Sequence, residues 1–286
     1  MPTIGFDTSA INALVNDGAA EPLMKALQCG FEVRLLGMNA EELLSTRDPV
    51  RREALLARCQ RLLASGQCLW PPHEILRLLI TAHLQNPTQF NWAHVNVRAR
   101  VYELAIISRD FTDELCIEQR NEQFKVQETF KKMWSGLRPQ LDAILANEPE
   151  KRPGTYHDAV AIATNGVLLC GIGQELYRHV TDATLSNEEI KEFMEVAPPF
   201  RAACYGLVMG WFNGALKQRQ PGEPEPPGRN DLLMAAYLPY CDRFVTHDWP
   251  QEKNLREIAS EATIACEVLS YEDFCGSFIP VGVARR

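Results

Sequence analysis

The chain has no Cys-x-x-Cys pair, no glycine-rich phosphate loop, no apolar run of membrane-spanning length and no excess of positive charge. Its nine cysteines (29, 59, 68, 116, 170, 204, 241, 266 and 275) are odd in number and scattered through 286 residues, so reduced thiols are expected and a cysteine-based zinc site is disfavoured. Gly171-Ile172-Gly173 is too short to cradle a phosphate. The most apolar stretches, 159–173 and 202–216, fall short of a bilayer crossing, and each holds an asparagine, Asn165 and Asn213. The start, Met1-Pro2-Thr3-Ile4-Gly5-Phe6-Asp7, has neither a basic leader nor an apolar run, so the expectation is a cytoplasmic protein with no secretory signal and no membrane partner. Lys and Arg number 29 against 37 Asp and Glu, a net charge of −8, which disfavours a broad polyanion-binding surface held by charge alone.

What is present suffices for a folded core: 46% hydrophobic and 23% charged residues are close to the globular average and far from disorder. Periodicity divides the chain in three. Residues 1–65 alternate strand-like runs (3–6 and 31–36) with helical ones at 22–29 and from Asn39; a further helix opens at Asp48-Pro49, with Asp48 as cap and Pro49 in the first turn. Residues 66–220 read as helical almost throughout, including a long charged segment at 109–145 and Gly206, Gly210 and Gly214 spaced as in closely packed helices. The stretch 221–228 holds four Pro and two Gly and breaks the pattern. Beyond it the α/β rhythm returns: helix 231–239, strand 243–246, helix 251–261, strand 264–269 and a short turn near 271–274. The expected organisation is one α/β domain formed by 1–65 and 221–286, with an all-helical insertion at 66–220 that selects substrate, mediates a homo-oligomer or binds a protein partner.

In parallel α/β sheets ligands bind at the carboxyl ends of the strands, so acids there are the first candidates. Asp7 ends the first strand, Asp248 follows the strand that closes on Thr246, and Glu42 and Asp231 fall near the starts of helices. Oxygen-only donors suit Mg²⁺ or Mn²⁺ rather than zinc. Residues 221–286 hold 6 basic and 11 acidic side chains, so negative charge is concentrated where two of these acids lie. Phosphate contacts need cations at the rim, for which Arg47, Arg51, Arg58, Arg61, Arg229 and Arg243 are candidates.

Asp7 in Gly-Phe-Asp-Thr-Ser-Ala-Ile, Glu42 in Ala-Glu-Glu-Leu-Leu, and the run from Asn230-Asp231 through Thr246-His247-Asp248 resemble the PIN domain, a metal-dependent nuclease family. The resemblance covers about 65 residues at the front and about 60 at the back. It implies a three-layer α/β/α fold with a mainly parallel sheet, an acidic quartet of Asp7, Glu42, Asp231 and Asp248 holding Mg²⁺ or Mn²⁺, an orienting hydroxyl at Thr246, and phosphodiester hydrolysis, with RNA as the favoured substrate. Glu41 replaces Glu42 if the register is shifted by one. His247-Asp248-Trp249-Pro250 departs from the commoner pattern, and this affects the expected shape of the substrate cleft.

Structural readings compete with each assignment. Asn39-x-x-Glu42 has capping-box spacing, Asp231 suits a helix dipole, and Asp7 and Asp248 suit turns or caps. The arginine stripe of 51, 58 and 61 suits a solvated helix face. His157-Asp158 and His247-Asp248, with His73, His83 or His94, suggest a helical HD-type metal phosphohydrolase, a fold without strands; His83 also reads as a core histidine, and His157-Asp158 as a helix start. A PIN-like scaffold without catalysis is the remaining alternative, against which four mutually repelling carboxylates argue.

Overall fold

Ile4 and Phe6 alternate with smaller neighbours and make Thr3–Phe6 the first strand (β1) of a sheet in the computed structural model, which describes residues 1–18, 20–108, 113–146, 152–217 and 225–278. The other strands are β2 (Glu32–Leu36), β3 (Gly66–Leu69), β4 (Arg243–Thr246) and β5 (Glu267–Ser270). All pair in parallel in the order β3-β2-β1-β4-β5. β1 is therefore central, and the connections reverse direction between β1 and β4, the switch point at which such sheets open a crevice.

Helices α1 (Thr8–Asn16) and α2 (Ala20–Gly30) join β1 to β2, and α3 (Gly37–Leu44) and α4 (Pro49–Leu63) join β2 to β3. After β3 come α5 (Pro72–Gln85), α6 (Arg100–Ser108), α7 (Asp113–Ala146), α8 (Tyr156–Asn165), α9 (Leu168–Thr181), α10 (Asn187–Val196) and α11 (Pro198–Trp211). A wide π turn follows at Phe212–Leu216; then α12 (Arg229–Leu233) runs into a 3₁₀ turn at Met234–Tyr240, and α13 (Trp249–Glu261) and α14 (Tyr271–Gly276) flank β5. Asp48 caps α4 through Val50 N, with Pro49 in the first turn as expected. The long helix expected from 109 begins at Asp113; Arg109 and residues 221–224 of the Pro-rich stretch lie outside the described residues. No single helix among the described residues is long and apolar enough to cross a membrane.

Strand alternation sorts the side chains into two cores. Ile4, Phe6, Val33, Leu35, Cys68 and Val245 face α1, α2, α4, α6 and α14; Leu55, Leu56, Cys59 and Leu62 supply the apolar stripe of α4, and Phe6 meets Phe274 edge to face at 5.4 Å. Leu36, Leu69, Phe244 and Val268 face the other way, into a cluster shared with α5, α8 to α13 and the 3₁₀ turn. Most of the helices expected as an insertion, α5 and α7 to α11, share one core with the second face of the sheet, whereas α6 packs on the first. α11 approaches α12 so closely that a Cβ on Gly206 would stand 2.5 Å from the Leu232 carbonyl oxygen.

β3 differs from the expectation of helix from residue 66 onward. Gly-Gln-Cys-Leu carries little strand propensity, and tertiary pairing supplies what the sequence does not. β2 pairs along its whole length, Cys68 N donates to Glu103 Oε1 at 2.9 Å, and Trp70 N donates to Val97 O at 2.9 Å. A Cβ on Gly66 would lie 1.8 Å from the Val33 carbonyl oxygen, so only glycine allows this approach. Gly66→Ala is expected to lower stability by about 3 kcal/mol, the upper range for an overpacked site, with thermal melting as the measure.

Candidate functional site

Asp7 leaves β1 with its N–H still paired to Val245 O at 3.1 Å, so the ladder delivers its side chain beside the end of β4. Its Oδ1 accepts Ala10 N at 2.7 Å and caps α1, while Oδ2 accepts the Thr246 hydroxyl at 2.6 Å. Ser9 Oγ donates to both oxygens of Asp7, at 2.8 and 2.9 Å, and accepts His247 N at 2.8 Å. Thr246 Oγ1 also accepts Asp248 N at 3.0 Å. Asp248 in turn caps α13 by accepting Gln251 N at 2.9 Å, and Gln251 Nε2 donates to Asp231 O at 2.6 Å. Asp231 Oδ2 accepts Gly228 N at 2.7 Å, at the start of α12.

Three of the four acids therefore do cap helices. The fourth does not: α3 starts at Gly37, which puts Glu42 beyond the first turn, and the box spacing from Asn39 is not used. Asn39 is itself inside the helix and fully buried, its Oδ1 accepting Leu36 N at 2.9 Å and its Nδ2 donating to Thr8 Oγ1 at 3.1 Å. Glu42 takes a hydrogen bond from Thr8 and feels the charges of Asp231 and Asp7. Glu41 faces elsewhere. It accepts from Tyr102 Oη at 3.3 Å and Gln123 Nε2 at 3.2 Å, and lines a cavity of about 290 Å³ with His73 and Arg229. Of the two glutamates, Glu42 is the one coupled to the other acids.

Burial pushes the Asp7 carboxyl up to about 6; the bonds from Thr246, Ala10 and Ser9 act against this and the Asp248 charge adds to it. Burial pushes Glu42 up to about 7, with the Thr8 bond opposing and Asp231, Asp7 and Glu41 adding repulsion. Loss of solvation also raises Asp231, against the Gly228 bond and with the Asp248 charge behind it. The acids thus lie close enough to repel one another on one edge of the sheet, and an arrangement of this kind favours a cation. Asp231 and Asp248 line a cleft of about 430 Å³ with Gln127, Lys131, Gln251 and Asn254.

Among the described residues no three His, Cys, Asp or Glu side chains are arranged to hold a metal ion. Mg²⁺ retains several waters and takes one or two carboxylates, so a closed cage is not required of the donor set, and its oxygen-only chemistry fits.

The expected rim arginines separate. Arg229 is half-buried beside Glu41, whose charge opposes the downward pull of burial on the guanidinium. Arg47 is exposed in the connection between α3 and α4. Arg51 clamps α4 to α1 through Asn12 Oδ1 at 2.7 Å and Asn16 Oδ1 at 2.7 Å, while Arg58 and Arg61 pair with Glu21, so the stripe ties helices together. Arg243 begins β4 and so lies at the opposite edge of the sheet from the acids, paired with Glu267 at 3.0 Å and over the Phe31 ring. Its place in the sequence, three residues before Thr246, made it look near; strand direction puts it at the far end.

The histidines are dispersed. His83 packs among Phe90, Tyr177 and Phe193 as a core residue, His157 pairs with Glu261 and His247 with Glu272. Thr155 and Asp158 form a capping box that starts α8, as expected for this His-Asp pair. Ser9, Thr8 and Gln251 were not singled out from the sequence. Asp248-x-x-Gln251 has readable cap spacing, whereas Ser9 becomes visible only when β1 and β4 are paired and Thr8 only when α1 meets α3. No protein-family model, curated protein or solved structure matches the chain.

Proposed function

We propose that this edge binds Mg²⁺ or Mn²⁺ and that the chain is a metal-dependent phosphodiesterase of PIN-like three-layer architecture acting on RNA. The observation that carries the reading is the convergence of four acids from four separate elements at the β1/β4 switch point, two of them raised into the neutral range. Asp7, Glu42, Asp231 and Asp248 hold the cation; Thr246 and Ser9 fix the Asp7 carboxylate from two sides. A divalent ion held by these residues would supply a water of lowered pKa and would offset charge on the leaving oxygen. Lys131, which lines the cleft with Asp231 and Asp248, and Arg229, two residues before Asp231, are the cations for phosphate contact.

Among the described residues no three of these side chains close on one point, which favours a second reading as a scaffold without catalysis. Titration of Mn²⁺ into full-length protein distinguishes the two. A cation that binds only the folded state raises the melting temperature, by about 2.7 kcal/mol of stabilisation at a hundred times its dissociation constant. A flat melting temperature and uncut single-stranded RNA would establish the scaffold. His157→Ala should leave cleavage unchanged, since His157 only pairs with Glu261 on the surface.

A further inference from the structure

The acid cleft continues into a second groove of about 350 Å³, and the two share Glu225, Pro226, Pro227, Pro250 and Asn254. Trp249 lies in this second groove, next in sequence to Asp248 and first in α13, with 67% of its surface exposed. Lys253 follows one helical turn later on the same face of α13, and Lys217 lines the groove with it. The charges of both lysines reach Glu257. Glu225, the other acid here, meets Lys131 Nζ at 3.3 Å. A large aromatic left two-thirds in water, joined to flanking cations and continuous with a carboxylate edge, is the arrangement that unpaired bases and their phosphates use.

We propose that this groove is a subsite for single-stranded RNA running from the acid edge, with one base stacked on Trp249 and backbone phosphates on Lys253 and Lys217. The proposal rests on the phosphodiesterase reading and adds to it the surface along which the strand lies; a base within a duplex has no free face to offer the indole. Pro226, Pro227 and Pro250 stiffen the walls, so little order has to be imposed on the groove when the strand enters.

The test is fluorescence anisotropy of a fluorescein-labelled single-stranded RNA with the full chain, in EDTA so that binding is read without cleavage. Trp249→Ala should weaken binding about 5- to 100-fold, and Trp249→Phe should retain most of it. The double variant Lys217→Ala, Lys253→Ala should reduce the slope of log Kd against log salt by about 1.4, two single-strand phosphate contacts. Unchanged binding by Trp249→Ala, with cleavage by the native chain intact, would overturn the subsite and leave the nuclease reading standing. Equal Trp249-dependent affinity for duplex RNA would overturn the single-strand assignment. Trp249-dependent binding of single strands by a chain that cuts no RNA with Mn²⁺ would support the subsite and remove the nuclease reading instead. Circular dichroism melts verify that each variant is folded; Trp249 is a surface residue and its truncation should leave the melt unchanged.

Discussion

Asp7→Asn is expected to lower RNA cleavage by roughly a thousandfold or more, about 4 kcal/mol of transition-state stabilisation, while leaving the fold intact. The choice of asparagine matters because Asp7 has two duties. Its Oδ1 caps α1 through Ala10 N, and asparagine caps as well as aspartate. An amide Oδ1 keeps that bond and the one from Ser9, and Nδ2 can donate to Thr246 Oγ1 in place of the bond that Asp7 Oδ2 accepts now. What asparagine cannot supply is the negative charge. Burial already disfavours that charge in the metal-free protein, so Asp7→Asn should melt higher than the native chain in EDTA at pH 7.5 while losing activity and the Mn²⁺-induced rise. Asp7→Ala, by contrast, removes the cap and should cost about 1 kcal/mol of stability as well. An Asp7→Asn variant that cleaves at the native rate would remove Asp7 from the metal site.

The pH dependence of stability should run opposite to that of a protein held together by salt-bridged acids. Asp7 stands at about 6 in the fold against 3.8 ordinarily, and Glu42 at about 7 against 4.5. Between about pH 4 and pH 7 the folded chain keeps protons that the unfolded chain has released, so these groups make stability fall as pH rises, levelling off above about 7. For Asp7 the contribution is about 3 kcal/mol across the window. Cation binding requires the ionised forms, so the Mn²⁺-induced rise in melting temperature should be small at pH 5 and large at pH 7.5, with protons released on binding. Melting curves from pH 4.5 to 8 in EDTA and in Mn²⁺ measure both trends. Asp7→Asn with Glu42→Gln should flatten the EDTA curve, and a native curve already flat in that range would contradict the burial of these acids.

The parts of the fold legible in the sequence are those where local pattern and tertiary need agree. Ile4 and Phe6, Val33 and Leu35, and Phe244 with Val245 announce strands through apolar side chains that the sheet then buries. Gly66–Leu69 does not, because its strand is imposed by β2, Glu103 and Val97 rather than by its own residues. The same limit applies to the helices between β3 and β4. Their apolar stripes are readable, but not that α5 and α7 to α11 pack on the face of the sheet bearing Leu36, Leu69, Phe244 and Val268 while α6 packs on the other. An insertion and a packing layer have the same one-dimensional pattern.

The site was legible to a similar extent. Asp7, Asp231, Asp248 and Thr246 follow from strand ends and the residues around them, and they meet at one edge. Glu42 has capping-box spacing from Asn39, but α3 starts two residues before Asn39, so the box is not formed there. The excess acidity of the last 66 residues was a poorer guide. Glu267, Glu252, Glu261 and Glu272 are paired with Arg243, Arg256, His157 and His247, and Asp242 accepts from Thr3, so five of the eleven acids are bound up in structural contacts. α7 contributes what no local pattern indicates. Gln123 joins Asn230 to Glu41, and Gln127 accepts Arg229 N, so a helix between β3 and β4 holds the segment that carries Asp231.

The central claim is that the four acids share a cation, and the most direct measurement is anomalous diffraction from crystals of the full chain soaked in Mn²⁺ near pH 7.5. A manganese peak is expected within coordination distance of Asp7 or Glu42 on one side and Asp231 or Asp248 on the other, absent from Asp7→Asn crystals. Saturating Mn²⁺ that leaves this edge without a peak, or a peak that persists unchanged in Asp7→Asn, would contradict it.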